Sequence, residues 1–175
     1  MKAATASLTG VERHFDKDEV IVSKTNAKGI LTYANRAFLR VSGFTEAEVI
    51  GKPHNILRHP AMPRSIFKLM WETIQAGREI FAYVINRSSN GDHYWVFAHV
   101  TPSFDAERRI VGFHSNRRVP ERAVLDAQII PLYAELVGLE RRAADPRSGL
   151  ESASQHLQDM LRTKGLGYDQ FIFSL

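Results

Sequence analysis

Ile80-Phe81-Ala82-Tyr83-Val84-Ile85-Asn86-Arg87, then Ser88-Ser89-Asn90-Gly91-Asp92-His93, then Tyr94-Trp95-Val96-Phe97-Ala98-His99-Val100-Thr101, is the stretch that decides the architecture. Both outer runs are rich in β-branched and aromatic residues. The Asn90-Gly91 pair between them is a strong hairpin signal. With a side-chain period of two, Ile80, Ala82, Val84 and Asn86 share one face of the first strand, and Phe81, Tyr83 and Ile85 share the other. Both faces are apolar, so the sheet is expected to be covered on both sides. The candidates are the helices of the middle segment on one side, and an N-terminal arm, C-terminal helices or a partner on the other.

Outward from this hairpin, Ile110–Ser115 reads as a third meander strand. Upstream, Pro63–Ala76 predicts a helix: Ile66, Leu69 or Met70, and Thr73-Ile74 recur on one side, and Gly77 stops it. Thr45 with Glu48 forms a capping box, and Gly51 with Pro53 ends that shorter helix. Val20–Ser23 and Ile30–Tyr33 are two short strands around an Asn26-to-Gly29 turn. Two strands, a helical crossover and three meander strands make an α+β domain: a five-stranded antiparallel sheet with helices on one face, plus C-terminal helices.

The chain divides into an N-terminal arm or cap (1–18), a single domain (19–118) and a C-terminal helical extension with an apolar tail (119–175). Leu125, Ile129, Leu132, Leu136 and Leu139 form a heptad-like stripe that Pro131 should kink or restart. Residues 141–147 read as a linker. Ser148 with Glu151 reads as a second capping box, opening a last amphipathic helix that ends near Gly165. The tail Tyr168–Leu175 is too apolar to be free and is expected to dock.

Composition removes several function classes. Cysteine is absent, which excludes disulfides, thiolate metal sites, cysteine nucleophiles and a cysteinyl–flavin photoadduct. The net charge of +4 is scattered over the chain without a basic stripe or reading helix, so no nucleic-acid partner is expected. No apolar run reaches the length of a membrane span and no secretory leader is visible, so a cytoplasmic location without direct membrane insertion is expected. No Gly-x-Ser-x-Gly turn, Gly-x-Gly-x-x-Gly loop or buried-looking carboxylate pair stands out, so the chain is not expected to be an enzyme.

Three segments resemble the PAS family: Asn35-Arg36-Ala37-Phe38, Ser42 through Pro53, and Asn86 through Val96. Pro53-His54-Asn55-Ile56-Leu57-Arg58-His59-Pro60 with Met62-Pro63 and Trp71-Glu72-Thr73 is similar, more narrowly, to the PAS domain of bacterial aerotaxis receptors. Ala61 and Ile80 depart from that subgroup, where an acidic and an aromatic residue are usual. The resemblance implies a cytoplasmic sensor of redox state or oxygen, of aerotaxis or energy-taxis type. It implies bound FAD, with Asn35, Arg58, His59 and Asn86 in the flavin pocket. Such a sensor signals by protein contact, as a homodimer or to a separate signalling protein.

The residues themselves leave alternatives open. Arg58 is equally a surface cation, and Asn86 a hydrogen bonder at a strand end. Trp71 lies on the helix with Phe67 and Ile74 and suits either a cofactor stack or the core. His54 or His59 is the candidate axial ligand if the cofactor is haem b, since one imidazole suffices. His93 and His99 share a strand face, though Trp95 and Phe97 between them favour packing over a metal. With no cofactor, the chain would be a dimerisation or interaction module using the leucine stripe and the tail.

Overall fold

The computed structural model describes residues 7–175, so the first six residues of the expected arm lie outside the described residues. Five strands form one antiparallel sheet: β1 Ile21–Asn26, β2 Leu31–Ala34, β3 Ile80–Arg87, β4 His93–Phe104 and β5 Ile110–Arg118, in spatial order β2-β1-β5-β4-β3. The hairpin register pairs Val84 with Val96 and Asn86 with Tyr94. At the turn, Gly91 has φ of 94° and a Cβ there would lie 2.0 Å from the Ser7 carbonyl oxygen, so the site needs glycine. The arm crosses this point and continues along β4, with Arg13 N–H donating to the His93 carbonyl at 2.7 Å.

The inner face is backed by α1 Arg36–Ser42, α2 Glu46–Val49, a 3₁₀ turn His54–Leu57 and α3 Arg64–Gln75. Phe38, Val49, Leu57, Met62 and Ile66 are buried there with Ile21, Ala82, Val96 and Ala98. The expected helix over Pro63–Ala76 is α3, with Pro63 just ahead of the first turn and Gly77 at φ 77° after the last.

The outer face is covered by the C-terminal helices. They are α4 Arg122–Val124, running through a π turn at Leu125–Ile129 into α5 Ile130–Arg142, then α6 Pro146–Lys164 and α7 Tyr168–Ser174. The π turn explains Pro131: proline has no N–H and its ring presses on the carbonyl four residues back, so the preceding turn widens and the helix continues. Leu125, Ile129 and Leu136 are fully buried in the core. The leucine stripe packs within the chain, with Leu132 and Leu139 partly buried against the same core. Tyr133 rests on Trp95 and donates to the Tyr83 carbonyl at 2.6 Å. The tail docks as expected: Phe171 and Ile172 are buried and Phe173 meets Phe81 and Phe97 edge-on.

One local expectation is corrected and one open alternative is closed. Helix α6 is opened by Asp145, whose carboxylate accepts from Arg147 and Ser148 N–H, with Pro146 in the first turn. The Ser148–Glu151 box is not formed; Glu151 pairs with Arg147 instead. An Asp followed by Pro is the better helix start, because proline pre-sets the backbone and gives up an N–H that needs no partner there. His93 and His99 do share a face, but six residues of strand place them roughly 20 Å apart at ~3.3 Å per residue. One metal ion cannot bridge them. Among the described residues no cluster of three or more metal-ligating side chains occurs, and no helix is long and apolar enough to cross a membrane.

Candidate functional site

Between the inner face of the sheet and α3 lies a cavity of about 530 Å³, within the usual range of small-molecule sites of roughly 300–1,000 Å³. The alternation of the strands builds it. Ser23 and Thr25 come from β1, Val84 and Asn86 from β3, Ala98 and Val100 from β4, and Phe113, Ser115 and Arg117 from β5. Small or thin residues on these alternate positions hollow the sheet, and α3 closes the opposite wall with Phe67, Met70, Trp71 and Ile74.

Four of the six sequence-predicted residues line this cavity: His54, Arg58, Trp71 and Asn86. Two do not. Asn35 is the N-cap of α1; its side-chain Oδ1 accepts from Val22 and Phe38 N–H, and its side-chain amide donates to the Val20 carbonyl at 2.8 Å. The side chain is consumed in joining β1 to α1, so it is structural. His59 is turned away into the core beside His93, its Nδ1 accepting from Ala61 N–H at 3.1 Å. Burial, then the neighbouring His93 and Arg87, push its pKa down to about 4, so it is neutral near pH 7.

Arg58 and Asn86 meet through their backbones, which pair at the free edge of β3, while the Arg58 guanidinium lies over the Phe67 ring at 5.1 Å. The Asn86 side chain is 4% exposed and its amide nitrogen has no partner. Trp71 stands at the mouth, its ring 5.3 Å from Phe113 and against Gly29.

The residue that sequence reasoning missed is Arg117. It is 4% exposed at the cavity floor. Its guanidinium donates to Ser23 Oγ at 3.0 Å and to His54 Nε2 at 2.7 Å, while the other terminal nitrogen has no partner. Burial lowers its pKa to about 10, so it stays a cation, and no carboxylate balances it. Because His54 must accept from this cation, its Nε2 carries no proton; burial and then Arg117 push its pKa down to about 3. A signal is present: with period two, Arg117 follows Phe113 and Ser115 on the inner face, and the strand runs to Arg118 where the local pattern alone ends it at Ser115.

Two features fix what the cavity can hold. Among the described residues seven buried side-chain atoms lack a hydrogen-bond partner, and four of them, on Thr25, Asn86, Ser115 and Arg117, belong to cavity residues. Buried polar groups are normally paired, and each exception costs about 1–3 kcal/mol. Lys28, Arg58, Arg64, Lys68 and Arg117 are all in the lining, with no Asp or Glu. The site therefore suits a planar, largely apolar guest with hydrogen-bond acceptors at one end and negative charge at the other. As haem ligands the histidines are poorly placed: Nε2 of His54 is held by Arg117, and His59 is outside the cavity.

Residues 19–116, more than half of the chain, match the family PAS, described as the PAS fold. The chain belongs to the PAS family. It is 41% identical over 120 residues to the aerotaxis receptor of Escherichia coli K12, a match that covers 68% of this chain and 23% of the receptor. It is 27% identical over 103 residues to the nitrogen fixation regulatory protein of Klebsiella pneumoniae, covering 59% of this chain and 21% of that protein. The chain thus spans about a fifth to a quarter of the length of these curated relatives. Among solved structures, an RNA-binding light-oxygen-voltage receptor superposes with TM-score 0.57 at 24% identity, over 66% of this chain and 34% of that one. The aureochrome1 LOV photoreceptor in its light state superposes with TM-score 0.54 at 21% identity, over 70% of this chain and 91% of that one. These structural likenesses show the fold, in agreement with the family match.

Proposed function

We propose that this PAS domain holds a flavin, specifically FAD, in the cavity under α3 and reports redox state or oxygen. The observation that carries the reading is the floor: buried, unpartnered donors on Asn86 and Arg117 face a space walled by Val84, Ala98, Val100, Phe113 and Trp71. An isoalloxazine offers a flat apolar body with carbonyl and imine acceptors along one edge, which matches that arrangement. Lys28, Arg58, Arg64 and Lys68 supply the positive rim that a diphosphate requires, and this favours the dinucleotide over a flavin lacking phosphate. The 41% identity to an aerotaxis receptor supports the sensing role.

When bound, the flavin supplies reversible electron uptake. The chain fixes charge and hydrogen bonding around it. Arg117, anchored by Ser23 and His54, holds a positive charge at the floor and favours the ligand state with more negative charge there. Asn86 can donate or accept, so it serves either protonation state of a ligand edge. The domain performs no turnover of its own, sits in the cytoplasm, and passes its state to a homodimer mate or a separate signalling protein. The test is the absorption spectrum of the purified protein with mass spectrometry of the released ligand. The two visible bands of an oxidised flavin and the mass of FAD are expected. A protein that stays colourless after flavin addition refutes the reading, and a Soret band would replace it with haem.

A further inference from the structure

Helix α3 is capped from outside its own segment. Pro63 provides no side-chain cap; instead Glu140, near the end of α5, accepts from Arg64 N–H at 3.0 Å and Ser65 N–H at 2.8 Å. The Arg64 side chain donates to the Pro146 carbonyl at 2.9 Å, and Arg141 donates to the Pro60 carbonyl at 3.3 Å. Arg64 is also a lining residue of the cavity, and so is Leu150 of α6. The α5–α6 crossing is therefore fastened to the mouth of the cavity through a residue that the cavity shares. A second, independent sign that this space takes a ligand is the pair of unpartnered donors on Asn86 and Arg117, each on a residue only 4% exposed.

We propose that a phosphate-bearing ligand in the cavity competes with Glu140 and Pro146 for Arg64 and the first turn of α3, so that occupancy loosens the 140–150 crossing. This inference rests on the reading of the cavity as a flavin site and adds how its filling reaches the C-terminal helices. The physical ground is charge. The first turn of α3 offers N–H groups that have no partner within the helix and the positive end of the helix dipole, and Arg64 adds a cation. Glu140 satisfies these with one negative charge. A diphosphate brings more negative charge and more acceptor oxygens to the same groups, and it repels Glu140. A guanidinium that turns to phosphate releases the Pro146 carbonyl, and the crossing loses a fastening on each side.

Hydrogen–deuterium exchange on the full chain tests this, read on peptides from 140–150 and from the first turn of α3. The arms are no ligand, riboflavin, FMN, FAD and inorganic pyrophosphate. FMN, FAD and pyrophosphate are expected to speed exchange at 140–150 several-fold, with no change for riboflavin. In Glu140→Gln the same peptides exchange faster without ligand, and pyrophosphate adds little. Unchanged or slowed exchange with FMN and FAD bound, or an equal rise with riboflavin, overturns the proposal while leaving the flavin reading intact. If no flavin binds but pyrophosphate still loosens 140–150, the flavin reading falls and the competition stands; if neither acts, both fall. The wild-type arms decide the matter even if the variant does not fold.

Discussion

Replacing Arg117 with methionine should leave the ligand-free protein about as stable and make ligand binding much weaker. The guanidinium is 4% exposed and has no carboxylate partner, and burial lowers its pKa from 12.5 to about 10. At 1.36 kcal/mol per pKa unit, holding the charge there costs on the order of 3 kcal/mol. Methionine fills a similar volume and removes that cost. Against it stand two lost charge-assisted hydrogen bonds, to Ser23 Oγ at 3.0 Å and His54 Nε2 at 2.7 Å, worth about 1.5 kcal/mol or more each. The two sides nearly cancel, so Tm should stay within roughly 2–4 °C of the parent for a domain of this size. Thermal unfolding of stripped protein, followed by circular dichroism, reads that arm. In a flavin titration, loss of one charge-assisted hydrogen bond of about 1.5–3 kcal/mol should weaken binding some ten- to hundredfold. A variant that melts well below the parent and binds flavin undiminished would show that Arg117 is a structural anchor and not a ligand group.

Other outcomes follow from individual contacts. Tyr133→Phe removes the 2.6 Å bond to the Tyr83 carbonyl without changing the ring packing on Trp95; denaturant unfolding should show a loss of about 1–2 kcal/mol, and no loss would mean that water replaces the bond. His54 and His59 both have folded pKa values pushed below the ordinary 6.5, to about 3 and about 4. Such groups contribute stability that is complete above pH 6.5 and is lost as pH falls toward the folded values, so each should cost about 2 kcal/mol on going from pH 6.5 to 5. Urea midpoints measured over that window should fall with acid, and a flat profile would refute the neutral, buried assignment. Gly112→Ala should be strongly destabilising, because a Cβ there would meet the Thr25 carbonyl oxygen at 2.2 Å across the β1–β5 ladder; near-parental melting would mean that the two strands can separate locally at little cost.

The sheet and its covering were legible because they follow from periodicity. Ile80 through Thr101 announces two strands and a turn, and the apolar outer positions Phe81, Tyr83 and Ile85 announce a cover on the second face. That cover is the C-terminal helices. The candidate site was legible only in part, because residue type does not say where a side chain points. Asn35 and His59 carry polar groups in a promising segment, yet backbone donors close at hand claim them first. Arg117 was hidden for the opposite reason. It sits among Asn116, Arg118 and Val119 in what looks like a polar exit from the last strand. The strand runs on because β1 pairs with it as far as Ile21↔Arg117, a long-range partnership that no local pattern encodes.

The placement of charge also says why the fold needs its extension. Strand β3 lies at the edge of the sheet, and an exposed edge with apolar faces invites pairing with other chains. Here the Arg58 backbone pairs with Asn86 on that edge, Tyr133 takes the Tyr83 carbonyl, and α7 sets Phe173 on Phe81. The inner residues Val84 and Asn86 of the same strand form the cavity wall. One strand thus carries cavity-lining residues on one side and extension contacts on the other, while α3 carries the second connection through Arg64 and Glu140. A change at the cavity that moves either element by even a fraction of an ångström meets tight packing beyond it and must be absorbed by the helices from Arg122 onward. The extension thus covers the outer face and meets both elements that wall the cavity. Truncating it should therefore expose the aromatic face and destabilise the sheet, whereas Glu140→Gln should alter the fastening at 140–150 and leave that face covered.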